Sequence, residues 1–172
     1  MLITGHQRYK IQSRFPTMGV TIIGADSCRE KALGIIQSCY DSGYTDSDPE
    51  TFFNTNGRCI IALDGEDAVG VARYKKDSNG VPLIDCLYVT DDSPDGTAEN
   101  LLRSILAIAQ NEGDGQVNTH MLDPRRRHFS TCYRMGFGDS GPCSCCQRDD
   151  LIHMNMRFRF GTYHSILQTI KS

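Results

Sequence analysis

The stretch that most constrains the fold is Leu83-Ile-Asp-Cys-Leu-Tyr-Val-Thr90, followed by Ser93-Pro-Asp-Gly-Thr-Ala98 and an apolar series at helical spacing: Ala98, Leu101, Leu102, Ile105, Ile108 and Ala109. It reads as a buried strand, a glycine turn and the start of an amphipathic helix. Such a junction aims the first helical amides past the end of the strand, where they can meet an anion. Further on, Cys132-Tyr-Arg-Met-Gly-Phe137 reads as a last helical turn stopped by Gly136, with Phe137 returning to the core.

The segments around these two follow the same logic. Tyr9 to Phe15 and Gly19 to Gly24 alternate as strands do. Ser27 with Glu30 predicts a capping box for a helix that buries Ala32, Leu33, Ile35, Ile36, Cys39 and Tyr40 and stops near Gly43. Glu50 to Asn54 suggests a short second helix. Cys59 to Leu63, the turn Asp64-Gly65-Glu66-Asp67, and Ala68 to Lys75 read as a hairpin, with Leu83 to Thr90 as a third strand. After a helix stopped by Gly113 and a strand from Val117 to Leu122, Asp123 is the expected N-cap of a helix with Pro124 in its first position. Leu151 to Phe160 alternates as a last long strand. The order predicts an α/β domain over residues 1–160, with a mixed, mostly antiparallel sheet covered by helices on both faces, and a tail over 161–172.

Composition narrows the function classes. A chain of 172 residues fits one domain and buries enough surface to fold without disulfides. A net charge of -3 gives no broad attraction to nucleic acid or to an anionic bilayer, so neither is an expected partner. The longest apolar runs fall far short of the ~20 residues of a membrane helix. His6, Gln7, Arg8 and Lys10 stand where a signal peptide would need apolar residues, and the expected location is the cytoplasm. Eight cysteines, several of them in apolar periodic segments, read as reduced. Cys143-Ser-Cys-Cys146 has a Cys-x-x-Cys spacing, with Cys132 and His153 as conceivable further ligands. It lacks the second pair that a zinc site needs, and no metal is expected.

In order and spacing, the strand, the glycine turn and Tyr133 to Phe137 resemble the GNAT acetyltransferases. Their pyrophosphate turn has the form Gln/Arg-x-x-Gly-x-Gly/Ala. Here Ser93-Pro-Asp-Gly96-Thr97-Ala98 falls in register, with Gly96 and Ala98 matching and Ser93 in place of the long polar residue. The resemblance implies a GNAT fold and an acetyl-CoA co-substrate whose acetyl group is attacked directly by an amine on a small molecule or a protein. It also implies that the backbone of Leu87, Tyr88 and Val89 aligns the pantetheine arm.

Asp85 stands four residues before Val89, where the histone-type members carry a glutamate that resembles a general base. On strict alternation Asp85 shares a face with Leu87 and Val89; its alternatives are a base with a raised pKa or a partner for an arginine such as Arg73. The family's acid, a tyrosine four residues before the glycine, falls on Cys132, with Tyr133 one step later. Either Tyr133 turns to the thiol or Cys132 takes the place. Arg125, Arg126 and Arg127 at an expected helix start suggest a bound anion, for which the 3′-phosphate of CoA is a candidate at Arg125.

Asp91, Asp92, Asp95 and Glu99 around the turn oppose a phosphate. Together with Ser93 and the shifted tyrosine, they keep open an alternative of a different class. This is a domain with the same fold that has lost the coenzyme and serves through protein partners, for instance in a bacteriophage particle.

Overall fold

The chain from Gly57 to Val89 forms a three-stranded antiparallel meander of β2 (Gly57–Asp64), β3 (Asp67–Lys76) and β4 (Pro82–Val89), flanked by β1 (Val20–Gly24) beside β2. Gly65 in the turn between β2 and β3 has φ +58, a sign that glycine adopts freely. The computed structural model describes residues 19–54, 56–139, 153–154 and 156–161. The alternating segment Tyr9 to Phe15, the Cys143-Cys145-Cys146 cluster and the tail beyond Gly161 lie outside the described residues.

Beyond the meander, β5 (Gln116–Thr119), β6 (Met121–Leu122), β7 (Gly138–Asp139), β8 (His153–Met154) and β9 (Met156–Arg159) complete the strands. The described residues form a seven-stranded sheet in the order β1-β2-β3-β4-β5-β9-β7, with β6 and β8 as a separate antiparallel pair. Among the described residues the β4–β5 pairing is parallel and the other pairings of this sheet are antiparallel, which makes it the mixed, mostly antiparallel sheet that the sequence predicts. The predicted strand from Val117 to Leu122 is interrupted at His120, whose amide donates to the Ile84 carbonyl at 2.9 Å.

Helices lie on both faces. On one face α1 (Arg29–Asp41) and α2 (Pro49–Asn54) bury Ala32, Ile35, Ile36, Cys39 and Phe52 against Ile61, Val71, Cys86 and Tyr88. On the other, α3 (Thr97–Asn111) and α4 (Phe129–Arg134) bury Leu101, Leu102, Ile105 and Cys132 against Ile60, Ala72, Leu87 and Val89. Two local expectations fail here. A short 3-10 turn, Ala25–Cys28, occupies the predicted capping box, and α1 begins at Arg29 with no side-chain cap. Tyr40, on the outer side of α1, is 43% exposed.

The Pro124 helix start is also corrected. Pro124 and Arg125 form a turn, and α4 begins only at Phe129. The Asp123 carboxylate still caps amides, accepting from Arg127 N and His128 N at 2.9 Å each, but it closes a loop rather than a helix. Arg126 within that loop has φ +52. The inference drawn from three arginines at a helix N-terminus therefore loses its basis.

Gly70 of β3 lets α3 sit close to the sheet. A Cβ there would lie 3.0 Å from Leu101 Cδ1, 3.0 Å from Val89 Cγ1 and 3.2 Å from the Tyr88 carbonyl oxygen. Gly34 on exposed α1 has nothing within 4 Å. Gly70→Ala is expected to destabilise by ~1–3 kcal/mol through overpacking, whereas Gly34→Ala is expected to stabilise by ~0.5–1 kcal/mol through helix propensity. Urea unfolding of the two variants checks the opposite signs.

Candidate functional site

β4 is paired with β3 along its length but with β5 at only two positions, Leu83 with Asn118 and Ile84 with Thr119. Beyond Ile84 the side of β4 that faces β5 has no ladder partner among the described residues, so Cys86 to Val89 border an unpaired seam. Thr90 closes β4 by donating its amide to the Val69 carbonyl, and Ser93 N donates to the Thr90 carbonyl, which turns the chain into α3.

That turn is built for open amides. Gly96, the residue before α3, has φ +83 and no atom within 4 Å of where a Cβ would stand. Thr97 tightens the turn by donating its hydroxyl to the Pro94 carbonyl at 2.6 Å. No side chain caps α3; the Thr97 amide donates to the Pro94 carbonyl at 3.2 Å, and the next amide to reach back is that of Asn100, on the Gly96 carbonyl. The Ala98 and Glu99 amides take part in none of the bonds that close the turn. They belong to the positive end of a 15-residue helix.

A cavity of about 210 Å³ opens at this point, lined by Val89 and by the turn from Asp91 through Ser93 and Gly96 to Ala98. Its opposite wall is Arg127, His128 and Thr131. The predicted turn residues Ser93, Gly96, Thr97 and Ala98 are thus gathered on one wall. Arg125 stands nearby, its guanidinium 3.3 Å from Asp91, and Arg127 pairs with the same carboxylate. The sequence marks Arg127 only as part of a basic run and singles out Arg125, whereas Arg127 and His128 are the residues that line the cavity. Their only signal was the run of basic residues, because a loop held by Asp123 rather than a helix carries them to the cavity.

His128 is 2% exposed, and burial pushes its pKa down to about 4, with Asp123 opposing the shift and Arg127 adding to it. Among the described residues its Nε2 has no hydrogen-bond partner, and neither has the buried hydroxyl of Tyr44, whose ring packs on His128 at 5.7 Å and on Tyr88 at 5.1 Å. Tyr44 therefore spans from β4 to the loop after β6 on the α1 face of the seam. The imidazole is neutral in the fold and ordinary, near 6.5, in the unfolded chain. Between those values the unfolded state binds the extra proton, so stability falls as the pH drops from 6.5 towards 4. Wild-type protein is expected to lose about 2 kcal/mol more than His128→Leu between pH 7 and pH 5, measured by urea midpoints.

The structure separates the three residues considered for chemistry. Asp85 is the extra residue of a bulge, since Arg73 pairs with Cys86 while Tyr74 pairs with Ile84. The bulge breaks the alternation. Leu87 and Val89 join the α3 core, whereas Asp85 meets Arg73 beside Phe52 of α2. Its carboxylate accepts from Arg73 Nε at 2.9 Å and Arg73 N-η2 at 2.8 Å, and pairs with Lys75 at 2.7 Å. The expected face is corrected, and of the two predicted environments the arginine pairing is the one present.

Side-chain exposures of 5% for Arg73 and 7% for Asp85 make this a buried pair. Asp85→Ala is expected to cost ~3–5 kcal/mol by leaving a buried guanidinium without its carboxylate, read as a lowered urea midpoint.

Cys132 is fully buried in the α3 core, and burial pushes its thiol up to about 12. Tyr133 is 43% exposed, stacks edge-on against Phe129 and donates to Asp139 at 2.8 Å, a bond that raises its pKa. Tyr133 thus points away from the core side of α4 that Cys132 occupies. Gly136, at φ +97, ends α4 as predicted, and Phe137 packs on Phe158 at 5.3 Å.

No protein-family model matches the sequence, and no curated protein does. Solved structures do match. A GNAT-family acetyltransferase of Staphylococcus aureus Mu50 superposes with a TM-score of 0.63 at 14% identity, over 82% of this chain and 99% of that one. The PaiA N-acetyltransferase of Thermoplasma acidophilum, in complex with coenzyme A, gives 0.56 at 15% identity, over 83% of this chain and 100% of that one. N-acetylglutamate synthase of Neisseria gonorrhoeae, complexed with coenzyme A and N-acetylglutamate, gives 0.60 at 17% identity, over 86% of this chain and 36% of that one. With a mixed sheet, helices on both faces and a glycine turn feeding the central helix at the mouth of a strand seam, this chain has the fold of the GNAT acetyltransferases.

Proposed function

We propose that the protein is an N-acetyltransferase that takes its acetyl group from acetyl-CoA and passes it to an amine. The observation that carries this reading is the uncapped start of α3, whose amides open at Gly96 onto a cavity of about 210 Å³ at the end of the β4–β5 seam. Two solved structures of the same fold hold coenzyme A, which supports the choice of ligand.

In this reading the Ala98 and Glu99 amides receive pyrophosphate oxygens, and the bare Gly96 lets the phosphate approach. Arg125, paired with Asp91 on the outer side of the same loop, is the residue this reading assigns to the 3′-phosphate. The pantetheine arm lies along the unpaired side of Leu87, Tyr88 and Val89, where backbone groups hold the thioester for attack. The amine nitrogen bonds to the acetyl carbon, the carbon–sulfur bond breaks, and the proton shed by the amine goes through water to the departing thiolate. Asp85, with both oxygens held by cations, shapes β4 and does not take that proton. In this reading Cys132, buried in the α3 core, and Tyr133, bonded to Asp139, are not assigned the role of acid. The chain's contribution is the positioning of two reactants, for which an effective molarity of on the order of 10⁵ M or more is available when geometry is good.

Calorimetry of acetyl-CoA on the wild-type chain tests the reading, with Gly96→Glu as the variant that fills the cradle. Binding with a Kd of roughly micromolar order, about -8 kcal/mol, is expected for the wild type and is expected to be lost in a folded Gly96→Glu. Mass spectrometry of a panel of amines incubated with protein and acetyl-CoA then identifies the acceptor. A folded wild-type protein that ignores millimolar coenzyme overturns the reading and favours a fold that works through protein partners.

A further inference from the structure

The two walls of the cavity carry opposite charge, and the cation comes from the wall opposite the turn. On the turn side, Asp91 and Asp95 line the cavity, and Glu99 in the first turn of α3 is engaged by Arg103 at 2.6 Å. On the other side stands Arg127. Its backbone is fixed, because the buried Asp123 carboxylate accepts the Arg127 and His128 amides and Arg126 N donates to the Asp123 carbonyl. The left-handed φ of +52 at Arg126 makes that loop strained, and such strain persists where surrounding bonds enforce it. Arg125 and Arg127 share one carboxylate, Asp91, and so hold each other's counter-ion in common at the cavity mouth. Of the two guanidinium groups, Arg127 is the inner one, 31% exposed against 61% for Arg125. His128, with its Nε2 buried and unpartnered among the described residues, lines the same wall.

We propose that Arg127 is the phosphate-binding cation of this cavity, in the place of the long polar residue missing at Ser93, and that Asp91 is its resident counter-ion, displaced when a phosphate ester enters. Asp91 is 74% exposed, so its pairing with the arginines is cheap to break. A phosphate offers the same guanidinium a bidentate, doubly charged partner and meets the α3 amides at the same time. The exchange moves no bond and needs no co-reactant; Asp91 turns to water as the phosphate docks.

The inference rests on the coenzyme reading for its natural ligand, and the test separates the two. CoA and inorganic pyrophosphate are titrated by calorimetry, at one ionic strength, into wild type, Arg127→Met, Arg127→Lys and Asp91→Asn, each checked for its fold by circular dichroism. Arg127→Met is expected to weaken both ligands about tenfold or more, with Arg127→Lys in between because it keeps charge but not the fork. Asp91→Asn is expected to tighten both by roughly three- to tenfold, and the gain is expected to vanish in Asp91→Asn/Arg127→Met.

CoA binding that is indifferent to Arg127 overturns this proposal and leaves the coenzyme reading standing. Pyrophosphate binding that depends on Arg127, without binding of CoA, supports the phosphate site and overturns the coenzyme reading. If neither ligand binds, or if Asp91→Asn weakens binding, the proposal fails.

Discussion

β4 is bonded along its whole length to β3 and at only two positions to β5, and the rest of the molecule is arranged around that asymmetry. A central strand that loses one neighbour halfway leaves backbone groups that water or a ligand must satisfy. The chain keeps this opening in place from both sides. Below it, the Arg73–Asp85–Lys75 cluster locks the bulge at which the strands part, and Arg73 also reaches the Phe52 carbonyl and stacks on the Phe52 ring at 3.9 Å. Above it, Gly70 admits α3 tightly against β3 and β4, so the start of that helix has one position relative to the seam. A buried ion pair is weak evidence for stability. Here it ties α2, β3 and β4 at the divergence point, so its consequence is geometric.

The electrostatics of the cavity follow from that placement. The start of α3 offers a partial positive charge and uncapped amides, yet the residues around it are acidic, a combination that favours the helix while opposing an anion. The loop after β6 resolves the conflict by bringing Arg125 and Arg127 onto Asp91. Next to them, His128 stays neutral because burial outweighs the pull of Asp123. The wall therefore presents one strong cation and a neutral imidazole rather than a cluster of like charges.

Much of this was legible in the sequence wherever a short-range rule decides the structure. The Gly65 turn, the α3 periodicity from Leu101 to Ala109, and the stops at Gly113 and Gly136 depend on local backbone preferences and appear as expected. Gly96 was readable as the turn glycine before α3 for the same reason. The bulge was not, because alternation carries no mark of one inserted residue, and a single insertion moves Asp85 to the opposite face. Asp123-Pro124 has the signature of a helix start, but the carboxylate instead serves the Arg127 and His128 amides in a loop, and α4 begins later. That difference also explains why the sequence points to the arginine run as a whole and not to Arg127 and His128 as the residues that line the cavity. The turn at Cys132-Tyr133 depended on helical phase, which one residue changes by about 100°; the core claims the cysteine and Asp139 holds the tyrosine outside.

The central claim is that the open start of α3 and the loop at Arg127 form one anion site fed by the seam. Backbone amide NMR of the wild-type chain titrated with CoA tests it most directly, since it reads each amide separately. The account predicts the largest shifts at Gly96 to Glu99, accompanied by Arg127 and His128 across the cavity, with β1 and β2 unmoved. Shifts that leave Gly96 to Glu99 untouched, or no shifts at saturating coenzyme, would contradict it.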